Sequence, residues 1–267
     1  MRCTLLLLCL GVLLQAQVNA PRVGFIRSSD ATIRPVYGLS DSFILGQPVL
    51  RSAVAASFSH AGGIVAAAGQ IQILGSDGSL IAEYPAAESQ PLVHIDDQLS
   101  TAIAWLPSSG VILHWNGESF ATTAVSAPLP ENVSSIRVSG ANANLLVTAG
   151  GAVSELTIAL DSGNIVSEHL LADVKSPAVY YQRFVLYADK KDLQIEAADG
   201  SLRTVHLPAS GVSIEPAGAE WLQVVSTDGH QNWLLHLTST AIELSELPAP
   251  ATAPHRPSAA VLIEGEK

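Results

Sequence analysis

The chain of 267 residues is poor in cysteine and in basic residues. It has two cysteines, Cys3 and Cys9, both near the N-terminus. Its 13 Lys plus Arg stand against 24 Asp plus Glu, which gives a formal charge of −11. No basic run of the kind that neutralises phosphates occurs in it. We therefore expect neither nucleic acid nor an anionic membrane surface as a partner.

The N-terminus has the features of a secretory signal peptide. A basic start at Arg2 precedes an apolar run from Leu5 to Leu14 and a small-residue segment that ends at Ala20. The run is about half as long as a bilayer-spanning helix, which favours a cleaved signal over an anchor. Pro21 directly after Ala20 leaves the cleavage position open. We predict residues 1–20 as a signal peptide and a periplasmic or extracellular protein that is not inserted in a membrane after cleavage.

The mature chain, residues 21–267, is then without cysteine and forms no disulfide, so its stability must come from its core. A chain of this size buries roughly 70–75% of its unfolded surface. Hydrophobic residues make up 48% of the sequence and charged ones 14%, a composition typical of strands buried on both faces. Cysteine-free exported chains favour a bacterial host. We predict a single domain and a monomer.

A repeated unit runs through most of this domain. It consists of an apolar strand, a turn, a second apolar strand, a tight turn rich in Asp, Asn and Gly, and a more polar third strand. The tight turns centre on Gly78, Gly117, Gly163, Gly200 and, with weaker turn chemistry, Ser239. Their spacings of 39, 46, 37 and 39 residues match the period of a propeller blade. Asp-Gly and Asn-Gly supply the positive φ that two-residue hairpins require.

The repeat predicts an all-β fold, a β-propeller with six blades. A sixth hairpin, Val23–Tyr37, lacks the inner strand that precedes the other units. The C-terminal segment Ala259–Ile263 offers such a strand across the Pro/Ala-rich crossover 247–258, so that the two termini close one blade and remove exposed sheet edges. Five or seven blades, a β-sandwich pair and another meandering β fold remain alternatives.

In rhythm the chain resembles exported bacterial β-propellers of the NHL/YVTN-like and tryptophan–aspartate-repeat-like superfamilies. The resemblance covers most of residues 23–265, and the entry segment Arg34–Leu39 with Ile44–Gly46 adds to it. The signature residues differ, because the Trp-Asp dipeptide, the Tyr-Val-Thr-Asn repeat, the kelch double glycine and the pyrroloquinoline-quinone blade motif are absent. The resemblance implies a propeller fold and leaves the activity open, since propellers host both enzymes and binding modules.

Carboxylates give the candidate catalytic residues. Asp96 and Asp97 are predicted where strands enter the central channel, and Glu215 with Glu220 are predicted to do the same in a later blade. Paired carboxylates can perform hydrolysis in such a channel. In a chain this acidic the same residues are also ordinary loop residues, and the loop interpretation is favoured.

Other residue types point to structure rather than to chemistry. His114 and His236 occupy similar places in the third and sixth blades, and no metal-ligand spacing occurs among the eight histidines. The tryptophans recur at two equivalent points of two blades, which favours packing between blades. Asn132-Val-Ser134 is a glycosylation sequon that matters only in a eukaryotic host. These tryptophans are Trp105, Trp115, Trp221 and Trp233.

No motif in the sequence identifies a chemistry. A Gly-x-Ser-x-Gly turn, a phosphate loop and a dinucleotide fingerprint are all absent, so we expect no cofactor and no metal. The sequence leaves enzymatic activity undecided and favours a non-enzymatic binding module whose partner is an unidentified protein or cell-envelope component. The alternative is a propeller-type hydrolase or lyase with Asp96 or Asp97 in the central channel.

Overall fold

The computed structural model describes residues 20–248, except residues 40, 41, 131, 211, 230 and 239. Most of the predicted signal peptide and the predicted closing strand Ala259–Ile263 lie outside the described residues, so both remain predictions. The regular structure of the described part is entirely β. None of it is a helix long and apolar enough to cross a membrane.

Strands in the described part form six antiparallel sheets, and each sheet contains strands that follow one another in the chain. We call these sheets blades 1 to 6 in chain order. Blade 1 contains β1 (Arg22–Arg27), β2 (Ile33–Leu39) and β3 (Ser42–Leu45). Blade 2 contains β4 (Ala53–Phe58), β5 (Gly62–Ala67), β6 (Gln70–Gly75) and β7 (Leu80–Pro85). Blade 3 contains β8 (Leu92–Ile95), β9 (Ala102–Leu106), β10 (Val111–Trp115) and β11 (Phe120–Ala124).

The second half of the ring repeats the four-stranded pattern. Blade 4 contains β12 (Asn132–Ser139), β13 (Asn142–Ala149), β14 (Ala152–Ala159) and β15 (Ile165–Leu171). Blade 5 contains β16 (Ala178–Tyr181), β17 (Phe184–Asp189), β18 (Asp192–Ala197) and β19 (Leu202–His206). Blade 6 contains β20 (Val212–Pro216), β21 (Trp221–Ser226), β22 (Asn232–Leu237) and β23 (Ile242–Glu246).

The arrangement is a six-bladed β-propeller, as the repeat predicted. Its hydrophobic core is divided into six clusters, and each cluster is shared by two neighbouring blades. One of them joins blade 1 to blade 6, where Ile26, Val36 and Phe43 pack against Ala217 and Leu234. Each blade buries its apolar faces only against its neighbours, so the ring as a whole is the unit of stability.

The predicted repeat units correspond to the second, third and fourth strands of blades 2 to 6. The tight turn of each unit connects the third strand to the fourth, and Gly78, Gly117, Gly163 and Gly200 have positive φ there. The innermost strands were not predicted as strands. They are β4, β8, β12, β16 and β20.

The chemistry of the tight turns differs from the two-residue form that the sequence suggested. Between β6 and β7 only Gly78 is left-handed, and the Asp77 carboxylate accepts hydrogen bonds from the Ser79 amide at 2.9 Å and hydroxyl at 2.6 Å. The side chain therefore forms the turn, and the glycine completes it. Two consecutive left-handed residues occur instead between second and third strands, at Ala68-Gly69 and Gly150-Gly151.

Blade 1 lacks an innermost strand among the described residues, as expected for the sixth hairpin. Gly24 lies against Ala217 and Arg27 pairs with Glu215, so β1 runs antiparallel to β20, in the direction of the second strands of the other blades. At the end of β20, Ala217 also forms a parallel bridge with Phe58 of blade 2, so blade 6 contacts blade 2 directly.

The inner edge of β1 has hydrogen-bond partners from blade 6. The Phe25 amide donates to the Ala217 carbonyl at 2.8 Å. Gln223 is 2% exposed, and its side-chain amide accepts from the Arg27 N–H at 3.1 Å and donates to the Arg27 carbonyl at 2.9 Å. The Gln223 side-chain amide thus gives the Arg27 backbone the two hydrogen bonds that a neighbouring strand would otherwise supply.

Candidate functional site

The two ends of the ring differ in their openings. We call the end where the innermost strands begin the N-face, and the end where they finish the C-face. Because strands alternate in direction, the N-face has the loops between blades and the loops between second and third strands. Gln90, Asn132 and Lys190 mark the N-face, and His60, Asp97 and Glu220 mark the C-face.

The central channel contains a cavity of about 380 Å³. All five innermost strands contribute to its wall, which is about equally polar and apolar. Several polar side chains lie in the wall, and most of them have partners inside the protein. Ser134 donates to the Ala178 carbonyl at 2.6 Å, and Ser135 accepts from the Tyr180 amide at 3.0 Å. These hydroxyls link β12 to β16.

A second, larger cavity of about 650 Å³ opens on the N-face between blades 3 and 4. We call it the interblade groove. It shares Gln90, Leu92 and Val133 with the channel cavity, so the two cavities adjoin at these residues. Its wall contains no charged residue, although the chain has a formal charge of −11. Its other lining residues include Trp105, Pro107, Ser126, Pro128, Leu129, Pro130 and Asn132.

His94 is the ionisable group of the channel wall that lacks a hydrogen bond to another described residue. Burial lowers its pKa to about 4, the positive charge of Arg137 acts in the same direction, and Asp96 opposes the shift. The imidazole is therefore neutral at pH 7, with one nitrogen that donates and one that accepts. It can give a ligand one directional hydrogen bond from the channel wall.

The low pKa of His94 predicts a specific pH dependence of stability. Between pH 6.5 and pH 4 the unfolded chain takes up a proton at His94 and the folded chain does not, so acidification favours unfolding. We expect the wild type to lose about 2–3 kcal/mol more between pH 7 and pH 4.5 than His94→Gln does. Urea unfolding of both proteins at the two pH values measures this, and equal losses would contradict a buried neutral imidazole.

A partly buried network of charged and polar side chains lies behind the channel wall between blades 4 and 5. Glu155 accepts hydrogen bonds from Tyr180 at 2.6 Å, Asn144 at 3.1 Å and Arg137 at 3.2 Å. The Arg137 guanidinium also lies 4.1 Å from the centre of the Tyr180 ring. Burial and the Glu155 carboxylate both raise the pKa of Tyr180, so the phenol stays protonated. This network links four strands, β12, β13, β14 and β16, and its two charges pair with each other.

Glu215 lies in the channel wall, as the sequence predicted, but its charge is already balanced. Arg27 binds it through two guanidinium nitrogens, with Nε 3.1 Å from Oε2. The hydrogen bond to Glu215 raises the pKa of Arg27, against the opposing effect of burial. Glu220, its predicted companion, lies at the C-face, where its carboxylate is 3.2 Å from His236 Nε2. The structure therefore does not bring these two glutamates together.

Asp96 and Asp97 follow β8 at the C-face, and neither lines the channel cavity. The Asp96 carboxylate accepts hydrogen bonds from the amide and hydroxyl of Ser100, at 2.9 and 2.5 Å, and from those of Thr101, at 3.2 and 3.0 Å. Burial raises the pKa of Asp96, but these hydrogen bonds outweigh it and lower the pKa overall. Asp96 thus forms the β8–β9 turn.

Asp97 has a different environment. Burial raises its pKa, the neighbouring Asp96 charge raises it further, and His60 opposes the shift. No group of three or more His, Cys, Asp or Glu side chains in the described part of the chain is arranged to hold a metal ion. Among the predicted catalytic residues, Asp97 has a raised pKa. It lies at the C-face, opposite the interblade groove.

The histidines occupy equivalent places, as predicted. The tryptophans lie on corresponding strands but at opposite ends of them, since Trp105 is near the N-face and Trp221 is at the C-face. His114 is on β10 and His236 on β22, the third strands of their blades. Burial lowers the pKa of His114, whereas His236 stacks on Trp221 with ring centres 4.2 Å apart. Trp115 and Trp233 are buried between blades, which confirms their packing role. Trp105 packs between blades 3 and 4 and also lines the interblade groove.

Comparison with known proteins identifies the fold alone. No family model and no curated protein matches the chain. Among solved structures, a chain of the nidogen/laminin complex is 9% identical with a TM-score of 0.57, covering 85% of this chain and 93% of that one. Virginiamycin B lyase from Staphylococcus aureus is 15% identical with a TM-score of 0.46, over 74% and 71% of the two chains. The Cps50 (Swd1) β-propeller domain of Myceliophteria thermophila is 12% identical with a TM-score of 0.43, over 85% and 87%.

The residues that form the groove carried only a weak signal in the sequence. Pro107, Pro128 and Pro130 are loop residues, and Gln90 is one amide among many polar side chains. They meet because the loops of blades 3 and 4 come together on the N-face. A proline-rich loop between two strands predicts a break in the sheet, and nothing in the local sequence indicates which distant loop will face it.

Proposed function

We propose that this protein is an exported, non-enzymatic binding module, and that its ligand occupies the interblade groove and the adjoining channel cavity. The observation that carries the proposal is a pair of adjoining cavities whose walls offer hydrogen bonds and apolar surface without an unpaired charge. Ligand sites in proteins are usually concave and combine apolar surface with a few polar groups that fix the ligand's orientation.

The shape and chemistry of the groove favour an elongated, uncharged ligand. Its proline and tryptophan side chains offer rigid apolar surface, and the amides of Gln90 and Asn132 offer hydrogen bonds near the opening. A charged group would find no counter-charge in the groove wall and would lose solvation there. An extended polypeptide segment with uncharged side chains fits both requirements, and an apolar side chain of that segment can enter the channel beside His94.

The groove variants Gln90→Arg and Ser126→Arg test this proposal, because both residues are exposed and line the groove. Each introduces a charge and bulk with little effect on packing. We expect both variants to lose at least about tenfold in affinity for the partner recovered by the wild-type protein from envelope and culture fractions of its host. Thr122→Arg, on the exposed outer strand of blade 3, is the matched control and should retain the partner.

Two outcomes would contradict the proposal. One is a partner that binds the groove variants as tightly as it binds the control. The other is a wild-type protein that recovers no partner. That outcome would favour the alternative function, a propeller-type hydrolase or lyase. The observation favouring that alternative is the raised pKa of Asp97 close to His60. Turnover on a panel of glycans and lactones, lost in Asp97→Asn, would establish it.

A further inference from the structure

The last strands of four blades end with the same hydrogen bond. The first residue after β7, β11, β19 and β23 donates its amide hydrogen to a carbonyl at the start of the third strand of the same blade. In blade 5 this bond joins Leu207 to Lys191 at 2.6 Å, and in blade 6 it joins Leu247 to Asn232 at 2.8 Å. Leu207 and Leu247 are both buried, and each is followed by proline and alanine. Blade 6 therefore ends in the same way as blades that lead into another blade.

The segments that connect one blade to the next, which we call interblade connections, contact the blade that they enter. Those after β7, β15 and β19 reach an innermost strand within five or six residues. On the way, each of them forms a hydrogen bond with the turn between the second and third strands of the next blade. The three pairs are Glu88 with Ser108 at 3.1 Å, Lys175 with Asp189 at 2.6 Å, and Ser210 with Thr227 at 3.2 Å.

At the corresponding turn of blade 1, a buried hydroxyl has no hydrogen-bond partner among the described residues. This hydroxyl belongs to Ser28, whose side chain is 3% exposed. Ser28 lines a cavity of about 340 Å³ between blades 1 and 6, together with Ser29 and Pro248. Because buried hydroxyls in proteins are usually hydrogen-bonded, we expect the occupant of this cavity to offer an acceptor to Ser28.

The cavity offers a path from the end of blade 6 to the central channel. Pro248, at the end of the described part, lies in its wall, and Glu215 lines both this cavity and the channel cavity. Residues 249–257 follow Pro248 directly and include three prolines. A proline-rich segment has carbonyl groups that accept hydrogen bonds and few N–H groups that donate them. The wall is complementary to such a segment, because the Ser28 hydroxyl and the Asn232 amide can donate.

We propose that residues 249–257 form a further interblade connection, which occupies this cavity and accepts a hydrogen bond from the Ser28 hydroxyl. The connection leads from the outer end of blade 6 towards the channel wall, as the connections after blades 2, 4 and 5 do. It links blade 6 to blade 1 in addition to the hydrogen bond from Phe25 to Ala217. The proposal does not depend on a ligand in the interblade groove.

Two engineered cysteine pairs test this path in the chain without its predicted signal peptide, which has no cysteine of its own. One pair is Ser29→Cys with Ala251→Cys, and the control pair is Thr227→Cys with Ala251→Cys. Thr227 follows β21, two strands away from Leu247. Three residues after Pro248 can span that distance of roughly 10 Å, so an undocked segment reaches the control position as well. We expect the effective molarity of disulfide formation, measured against glutathione, to be at least about tenfold higher for the Ser29 pair. Equal values, or a higher value for the Thr227 pair, would overturn the proposal.

Ser28→Ala, added to each cysteine pair, tests the proposed hydrogen bond. Because the variant removes the donor, we expect the effective molarity of the Ser29 pair to fall at least about threefold and that of the Thr227 pair to stay unchanged. A fall of the same size in both pairs would show a general effect on the fold. An unchanged Ser29 pair would show that Ser28 does not hold the segment. Either result would overturn the proposal.

Discussion

Replacing Gly24 with alanine is expected to destabilise the whole ring. The Cβ of an alanine at this position would lie 1.9 Å from the Ala217 carbonyl oxygen, which is part of the backbone and cannot rotate away. Removing the clash requires β1 to move off blade 6, and this breaks the hydrogen bond from Phe25 to Ala217 as well. We expect a loss of about 3 kcal/mol or more, seen as a fall in Tm of roughly 6–12 °C by circular dichroism.

Gly75→Ala is the matched control, because Gly75 is also a strand glycine and a Cβ there would meet only the side-chain ends of Asp77, Ser79 and Ile81. These contacts would be 3.2 Å or longer and need only small shifts, so the control should unfold within about 4 °C of the wild type. If Gly24→Ala unfolds at the same temperature as Gly75→Ala, the contact between blades 1 and 6 does not close the ring.

Removal of the Glu155 carboxylate is expected to have the second largest effect. Glu155→Leu leaves the Arg137 guanidinium without its counter-charge, and the Tyr180 hydroxyl and Asn144 amide lose their acceptor. The Arg137 and Glu155 side chains are each only 24% exposed, so water compensates little. We expect a loss of about 3 kcal/mol in the free energy of unfolding, measured with urea.

A second substitution distinguishes the effect of the unpaired charge from the effect of lost packing. Adding Arg137→Met to Glu155→Leu removes the orphaned cation, so the double variant should be more stable than Glu155→Leu alone. Lys175→Met, which breaks the exposed pair with Asp189, should leave stability unchanged within error. A double variant no more stable than the single one would mean that the cost comes from packing and not from the unpaired charge.

The hairpin repeat could be predicted from the sequence because local residues determine it. Asp77-Gly78, Asn116-Gly117 and Asp199-Gly200 form turns through their own side chains and backbone, so pattern and structure agree at each of them. The innermost strands escaped prediction for the opposite reason. β8 and β16 are four residues long, and their partly exposed channel wall interrupts the apolar run that marks a buried strand.

The candidate site was harder to predict than the fold. Asp96 and Asp97 were candidate catalytic residues because of their charge. Asp96 forms a turn instead, as the favoured loop interpretation predicted. His94, two residues earlier, was not singled out, because its neutral state depends on burial that the local sequence does not reveal. The interblade groove combines loops about 40 residues apart, a separation set by the blade repeat. Gln223 forms hydrogen bonds with Arg27 of β1, which is 196 residues away in the sequence.

Site-specific photo-crosslinking can locate the ligand that we propose for the interblade groove. A photoreactive amino acid is placed at Ser126 in the groove or at Thr122 on the outer strand of the same blade, and the protein is irradiated with its host's envelope and culture fractions. We expect a discrete crosslinked partner from position 126 and none from position 122. Crosslinking of the same partner from position 122, with none from position 126, would show that the ligand does not bind in the interblade groove.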